Sequence, residues 1–172
     1  MMLFERLLGA AFDTLDPGVR KLHRDVGTRH YPGEVEVERG QRLLARTCAW
    51  ATRLPPAGRG PIEVRIDADG GGESWSRHFG RHAMRSRLRE CDGLLHERLG
   101  LATFVFRLTA RAGAIEWSVE RVRALGLSLP ARWFAGVAAR ESGADGRYHF
   151  DVRAVLPLAG LLVHYRGWLD VD

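Results

Sequence analysis

Chemistry-bearing side chains crowd the last strand-like segment, Leu161–Val171. There His164, Tyr165 and Arg166 stand side by side, and Trp168 follows. Successive side chains of a strand point to opposite faces, so His164 and Arg166 share one face and Tyr165 lies on the other. A face with His and Arg could move a proton and hold an anion, and the alternative is that it is the solvated side of a sheet. At most one of His164 and Tyr165 can enter a given pocket.

A second group follows the same alternation in the segment Glu73–Phe79, where Trp75, Arg77 and Phe79 share one face. A guanidinium stacks on aromatic rings and forks onto carboxylates, so this face could hold a planar or anionic ligand. The alternative is that the two aromatic residues belong to the core and that Arg77 is ion-paired with an acid.

Polar residues inside otherwise apolar strands complete the candidate set. Ser86 lies between Met84 and Leu88 on the dry face of its strand. Glu97 and Glu141 could act as general acid or base if burial raises their pKa, or could be counter-ions of basic residues. The residues predicted to contact a ligand are Trp75, Arg77, Phe79, Ser86, Glu97, Trp117, Glu141, His164 and Tyr165.

Motifs for metal, cofactor or nucleophilic chemistry are not found in the sequence. Cys48 and Cys91 lack CxxC or Cys/His spacing, which favours reduced thiols and a cytoplasmic location. His78 and His82 are four residues apart but flank a predicted turn. The run Gly70–Gly72 opens a strand and not the helix that a phosphate site needs. We therefore expect neither a metal nor a cofactor.

The charge is basic but dispersed. The chain has 26 basic and 21 acidic residues, a formal net charge of +5, and Lys21 as its only lysine. Phosphate binding rests on clustered Lys and Arg, and here the arginines are spread along the chain and interrupted by acids. Nucleic-acid binding is therefore not predicted. No apolar run approaches the roughly 20 residues of a membrane-spanning helix.

Helical patterns predominate near the N-terminus. They predict one amphipathic helix ending near Asp13 and another that starts at Asp16-Pro17 and carries the stripe Val19, Leu22, His23 and Val26. The alternating segment Glu34–Arg39 predicts a strand with Val35 and Val37 inward. A third helix, from about Gln41 to Arg53, has Leu43, Leu44, Thr47, Trp50 and Ala51 on one side, and the prolines after Leu54 end it.

Alternating runs separated by Gly- and Asp-rich turns fill the rest of the chain and predict hairpins. The runs are Ile62–Ala68, Glu73–Phe79, Ala83–Cys91, Leu94–Leu99, Thr103–Arg111, Ile115–Leu125 (alternatively a helix), Phe134–Glu141, Arg147–Leu156 and Leu161–Val171. We expect one α+β domain over residues 1–172, with a helical part at about 1–55 and a β-rich part at about 60–172. Its mostly antiparallel meander is strongly curved or closed into a barrel, with two or three N-terminal helices packed on it.

Several of these segments resemble the bacterial family of domains of unknown function 4166. They are Leu15–His23, Leu54–Gly58, Glu73–Phe79, Glu97–Gly100, Asp145–Asp151 and Leu156–Leu169. Members of that family are sometimes fused behind nucleotide-binding oxidoreductase domains, so the resemblance implies a possible oxidoreductase partner. It transfers no activity and assigns no catalytic residue.

Three functions fit these patterns. The leading hypothesis is a non-catalytic binding module that holds a small apolar or amphipathic ligand in a barrel-like pocket. The second is an enzyme that uses the same cavity for acid–base chemistry, with Glu97, Glu141 or His164 as base. The third is a structural or protein-interaction domain with a fully packed interior.

Overall fold

The computed structural model describes residues 1–172 and places its three helices in the first third of the chain. They are α1 (Leu3–Leu8), α2 (Pro17–Arg24) and α3 (Leu43–Ala51), and a 3-10 helix, Gly9–Thr14, continues α1. Pro17 occupies the first position of α2, where its missing N–H costs no helical hydrogen bond. None of the helices has the length and apolar character needed to cross a membrane.

The strands confirm the predicted meander. They are β1 (Gly27–Arg39), β2 (Gly58–Asp69), β3 (Gly72–Phe79), β4 (His82–Cys91), β5 (Leu94–Leu99), β6 (Ala102–Arg111), β7 (Ala114–Ala124), β8 (Leu127–Leu129), β9 (Gly136–Ala144), β10 (Arg147–Leu156) and β11 (Gly160–Leu169). Most are joined by tight turns. At Asp92–Gly93 both residues have positive φ, 54° and 73°, as a two-residue hairpin turn between twisted strands requires.

The sheet closes into a ten-stranded antiparallel barrel. The pairings run from β6 back through β1 to β11, β10, β9 and β7, and β6 pairs with β7 to complete the ring. β8 pairs only with the end of β7 and lies outside the ring. Helices on a closed antiparallel barrel confirm the predicted fold class, and β7 is a strand and not the alternative helix.

The alternation along β4 shows how the sequence sets the two faces of the barrel. Met84, Ser86 and Leu88 are buried inside, whereas Arg85 and Arg87 are exposed outside. The predicted inward faces of β1 and β3 are confirmed in the same way, with Val35, Val37, Trp75 and Phe79 in the core. The alternation of side chains along each strand therefore correctly predicts which of these residues point into the barrel.

The first two helices plug one end of the barrel, which we call the plugged end. Phe4 of α1 and Val19 of α2 are fully buried in the core. Asp16, before α2, accepts a hydrogen bond from the Gly143 N–H at 2.9 Å and donates its own N–H to the Gly113 carbonyl. A Cβ on either glycine would lie 2.6 Å from Asp16 atoms, so both positions need the missing side chain.

Three predicted boundaries are wrong. α2 ends at Arg24, and Val26, predicted in its buried stripe, is 63% exposed. β1 begins at Gly27 and not at Glu34. Phe134, predicted to open a strand, belongs instead to a 3-10 helix, Ala131–Phe134, because Pro130 and the turn that follows β8 interrupt the ladder.

α3 presents its larger apolar side chains to solvent. Ala45 is buried against Ala159 and Leu162, and Ala49 is buried as well, whereas Leu43 is 79% and Trp50 is 78% exposed. The side of this helix that the sequence marks as apolar is therefore not the side that packs on the barrel. α3 lies with four turns (residues 80–81, 100–101, 125–126 and 157–159) at the end opposite the plug, which we call the mouth.

Candidate functional site

Most of the residues predicted to contact a ligand meet around one cavity inside the barrel. This interior cavity has a volume of about 80 Å³. Trp75 and Arg77 come from β3, and the other four predicted residues come from four further strands. The predicted residues that line it are Trp75, Arg77, Glu97, Trp117, Glu141 and Tyr165.

Arg77 is a cation held inside this cavity. Its guanidinium carbon lies 4.7 Å from the centre of the Trp75 ring, and its Nη1 donates to the Ser86 hydroxyl at 2.9 Å. Its Nη2 is 3.6 Å from Glu97 Oε1, and both side chains are about nine-tenths buried. Ser86 and Glu97 thus lie inside as predicted and contact Arg77, which matches the ion-paired alternative for Arg77.

A buried histidine and carboxylate form the second polar group of the interior. Nε2 of His23, on α2, donates to Glu141 Oε2, on β9, at 2.7 Å, and the His23 side chain is fully buried. The His23 ring stacks on Phe4 with 3.6 Å between ring centres. Burial and the nearby charge of Glu141 raise the pKa of Tyr148 well above its usual value. The sequence placed His23 in a buried stripe but gave no sign of its pairing with Glu141, 118 residues away.

Glu73 adds a second buried carboxylate beside this pair. Its Oε2 accepts a hydrogen bond from Trp75 Nε1 at 2.7 Å. Burial raises the pKa of Glu73, and the charge of Glu141 raises it further, whereas His23 and the Trp75 hydrogen bond lower it. Alternation along β3 puts Glu73 on the same face as Trp75 and Arg77, but it is not among the residues predicted to contact a ligand.

Two buried ring nitrogens lack a hydrogen-bond partner. Trp117 Nε1 and His23 Nδ1 are both shielded from solvent and make no hydrogen bond. Trp117 lines the interior cavity, which is roomy enough for at least one water molecule. An acceptor atom in the cavity would therefore satisfy a donor that the protein leaves open.

His164 and Tyr165, the adjacent candidates on β11, point to opposite sides of the barrel wall. Tyr165 points into the interior, and burial raises its pKa to about 12. His164 points outward, where its Nε2 lies 2.9 Å from Asp151 Oδ1. Phe79 packs edge-to-face on Tyr165 with 6.1 Å between ring centres, and it does not line the interior cavity.

A larger pocket lies at the mouth and was not predicted. It has a volume of about 340 Å³, and sixteen of its eighteen lining residues are hydrophobic. α3, the β6–β7–β8 region and the β10–β11 turn form its walls, and Phe104 and Phe134 lie edge-to-face within it. We call it the mouth pocket. The only sequence signal for it was the surplus of Leu and Trp in α3 and in the turn around Leu125.

Metal chemistry finds no support in the arrangement of side chains. No three His, Cys, Asp or Glu residues come together as a possible metal site. His78 contacts Ser76, and His82 contacts the Arg53 carbonyl, so their spacing does not bring them to a common point.

Fold and site together define a helix-plugged antiparallel β-barrel with a mostly apolar interior that holds a few buried polar side chains, and with an apolar pocket at its mouth. The chain belongs to the family described as a domain of unknown function, DUF4166, whose model matches residues 15–169. The crystal structure of Rv2717c from M. tuberculosis is similar at 12% sequence identity, with a TM-score of 0.48, and the match covers 91% of this chain and 98% of that one. No curated protein matches the sequence significantly.

Proposed function

We propose that residues 1–172 act as one non-catalytic binding domain that holds a small apolar or amphipathic ligand in the mouth pocket. The observation that carries this proposal is the pocket itself, an almost wholly apolar space of about 340 Å³ at the end of a closed barrel. Binding sites for small molecules are typically apolar, measure about 300–1,000 Å³, and occur at the mouths of barrels.

Volume favours the mouth pocket over the interior cavity. The interior cavity, at about 80 Å³, is smaller than the roughly 150 Å³ space that accepts benzene in a protein core. It suits water or a ligand of very few atoms, anchored by Arg77, Glu141 or Tyr165 and by the open Trp117 donor. Of the residues predicted from the sequence, these remain the candidates for such a second, smaller site.

Acid–base catalysis in the interior cavity is the second candidate function. It is favoured by Glu141, which lines the cavity and is held by His23, and by Glu73, whose pKa burial raises. Groups with shifted pKa values inside a cavity are typical of acid–base sites, although structural networks show them too. A cytoplasmic location, supported by the free thiols of Cys48 and Cys91, and an oxidoreductase partner stay predictions.

Filling the mouth pocket is expected to weaken ligand binding strongly. Ala124→Phe places a ring into the pocket wall, and we expect it to weaken dodecanoate binding by at least about tenfold, because the ring occupies the space of the alkyl chain. Isothermal titration of the purified protein with dodecanoate measures the affinity. Ala144→Phe, at an exposed position of the plugged end, is the matched control and should bind as the wild type does.

A different pattern of losses would locate the ligand elsewhere. If Trp75→Ala weakens dodecanoate binding while Ala124→Phe leaves it unchanged, the ligand lies in the interior and the mouth-pocket proposal is wrong. Arg87→Ala, on the outer face beside Trp75, is the control for that variant. If the wild type binds no dodecanoate and carries no extractable ligand by native mass spectrometry, the binding function itself is refuted.

A further inference from the structure

We propose that the mouth of the barrel docks on the surface of a membrane rich in anionic phospholipids. The surface consists of exposed apolar side chains surrounded by arginines without a carboxylate partner. Its members Leu125 and Leu158 also line the mouth pocket, whereas Leu43, Trp50 and Leu127 lie outside that pocket.

The first observation is the apolar surface of the mouth. α3 and the neighbouring turns hold most of the exposed large hydrophobic side chains in the protein. Scattered exposed leucines are ordinary, but a group gathered at one end marks an interaction surface. The members that are more than two-thirds exposed are Leu43, Trp50, Leu125, Leu127 and Leu158.

The second observation is the charge of the same end. Five segments that reach it, residues 40–60, 79–89, 98–106, 121–138 and 152–164, contain no Asp or Glu, and the two glutamates of the adjoining end of β1, Glu36 and Glu38, are within 4.0 Å of Arg166. The exposed arginines of these segments include Arg42, Arg46, Arg53, Arg81 and Arg132. None of these five has a carboxylate within 4.0 Å, and Arg46, Arg53 and Arg81 line one depression. The dispersion of arginines along the sequence thus conceals a cluster in space.

A wide depression beside Trp50 joins the two features. It measures about 1180 Å³ and opens to solvent between α3 and the β3–β4 turn. Guanidinium groups bind phosphate oxygens in a bidentate manner, so the depression suits phosphate groups. Its basic lining residues are Arg39, Arg46, Arg53, Arg81, Arg85 and His82.

An anionic membrane fits this combination better than the alternatives. Exposed aliphatic side chains gain from insertion among lipid chains, tryptophan favours the interface, and arginines gain from anionic headgroups. A nucleic acid would use the arginines but leave Leu43, Leu127 and Leu158 in water. A second copy of the chain would bring one uncompensated arginine cluster against another.

Vesicle co-sedimentation tests the proposal with the full chain. We expect the protein to sediment with vesicles of phosphatidylcholine and phosphatidylglycerol in equal parts but not with vesicles of phosphatidylcholine alone. Binding to the anionic vesicles should weaken as the salt concentration is raised. Trp50→Ser and Arg46→Glu should each weaken binding by at least about tenfold. Both positions are exposed and outside the mouth pocket, so dodecanoate binding should not change.

Matched variants at the plugged end separate docking from general effects. Val26→Ser removes an exposed apolar side chain and Arg111→Glu reverses an exposed arginine there, so both should bind vesicles as the wild type does. Circular dichroism checks that all four variants fold.

Four results would overturn the proposal. In the first, the wild type does not bind the anionic vesicles, and in the second, the mouth variants and the control variants lose binding equally. In the third, duplex DNA displaces the protein from vesicles, and DNA binding depends on Trp50 and Arg46 as vesicle binding does. In the fourth, the protein self-associates and the mouth variants abolish that association. Loss of dodecanoate binding in Ala124→Phe with no vesicle binding would leave the proposed function standing and refute only the docking.

Discussion

Glu141→Ala is expected to lower the free energy of unfolding by about 1–3 kcal/mol, because it leaves a buried polar ring without its hydrogen-bond partner. The His23 side chain is fully buried, and its Nδ1 already lacks a partner, so loss of the 2.7 Å hydrogen bond to Glu141 leaves both ring nitrogens unsatisfied. Urea unfolding at neutral pH, followed by tryptophan fluorescence, measures the change.

Glu116→Ala is the matched control for this prediction. Glu116 lies on the outer face of neighbouring β7, with its carboxylate 3.8 Å from Arg140 and 41% of its side chain exposed. A surface pair of this kind contributes about 0–1 kcal/mol. Equal losses in the two variants would show that the His23–Glu141 pair does not stabilise the fold. The double variant with His23→Ala should lose less than the sum of the single variants, because the two side chains act together.

The closed barrel could be predicted because the pattern of each strand carries its own information. In β4 the alternation of Arg85, Arg87 and Arg89 with Met84 and Leu88 fixed the outer and inner faces, and glycine-containing turns fixed the neighbours. The interior residues Trp75, Arg77 and Glu141 followed from the same period. A closed barrel has a single interior, so polar residues that point inward from different strands lie close together.

The features that the sequence did not predict depend on contacts between segments and cannot be read from one segment alone. Pro32 and polar neighbours hide the first half of β1, where the strand pairs only with β2, so that proline is tolerated on the open side. The inverted packing of α3 depends on the small side chain of Ala45, which allows close approach to Ala159 and Leu162 of the barrel. The His23–Glu141 pair and the mouth pocket join distant segments, and no local pattern encodes which distant segments meet.

Glu73→Gln is expected to stabilise the protein at neutral pH and to have little effect on its stability at about pH 4. Burial raises the pKa of Glu73 above its usual 4.5, so between 4.5 and the raised value the folded state holds a proton that the unfolded state has released. The folded state then binds more protons, and stability must fall as pH rises through this window. Each unit by which the pKa is raised lowers the stability above the window by about 1.4 kcal/mol.

The glutamine variant removes this loss while its amide oxygen can still accept the hydrogen bond from Trp75 Nε1. Urea unfolding of wild type and variant at about pH 4 and about pH 7 should therefore show a gap that opens with rising pH. Glu34→Gln, at an exposed position with no ion pair within 4.0 Å, should show no such change. If instead the wild type becomes more stable relative to Glu73→Gln as pH rises, then His23 and the Trp75 hydrogen bond outweigh burial and hold Glu73 ionised. The interior would then present a fixed anion beside Glu141, and acid–base catalysis through a neutral Glu73 would lose its basis.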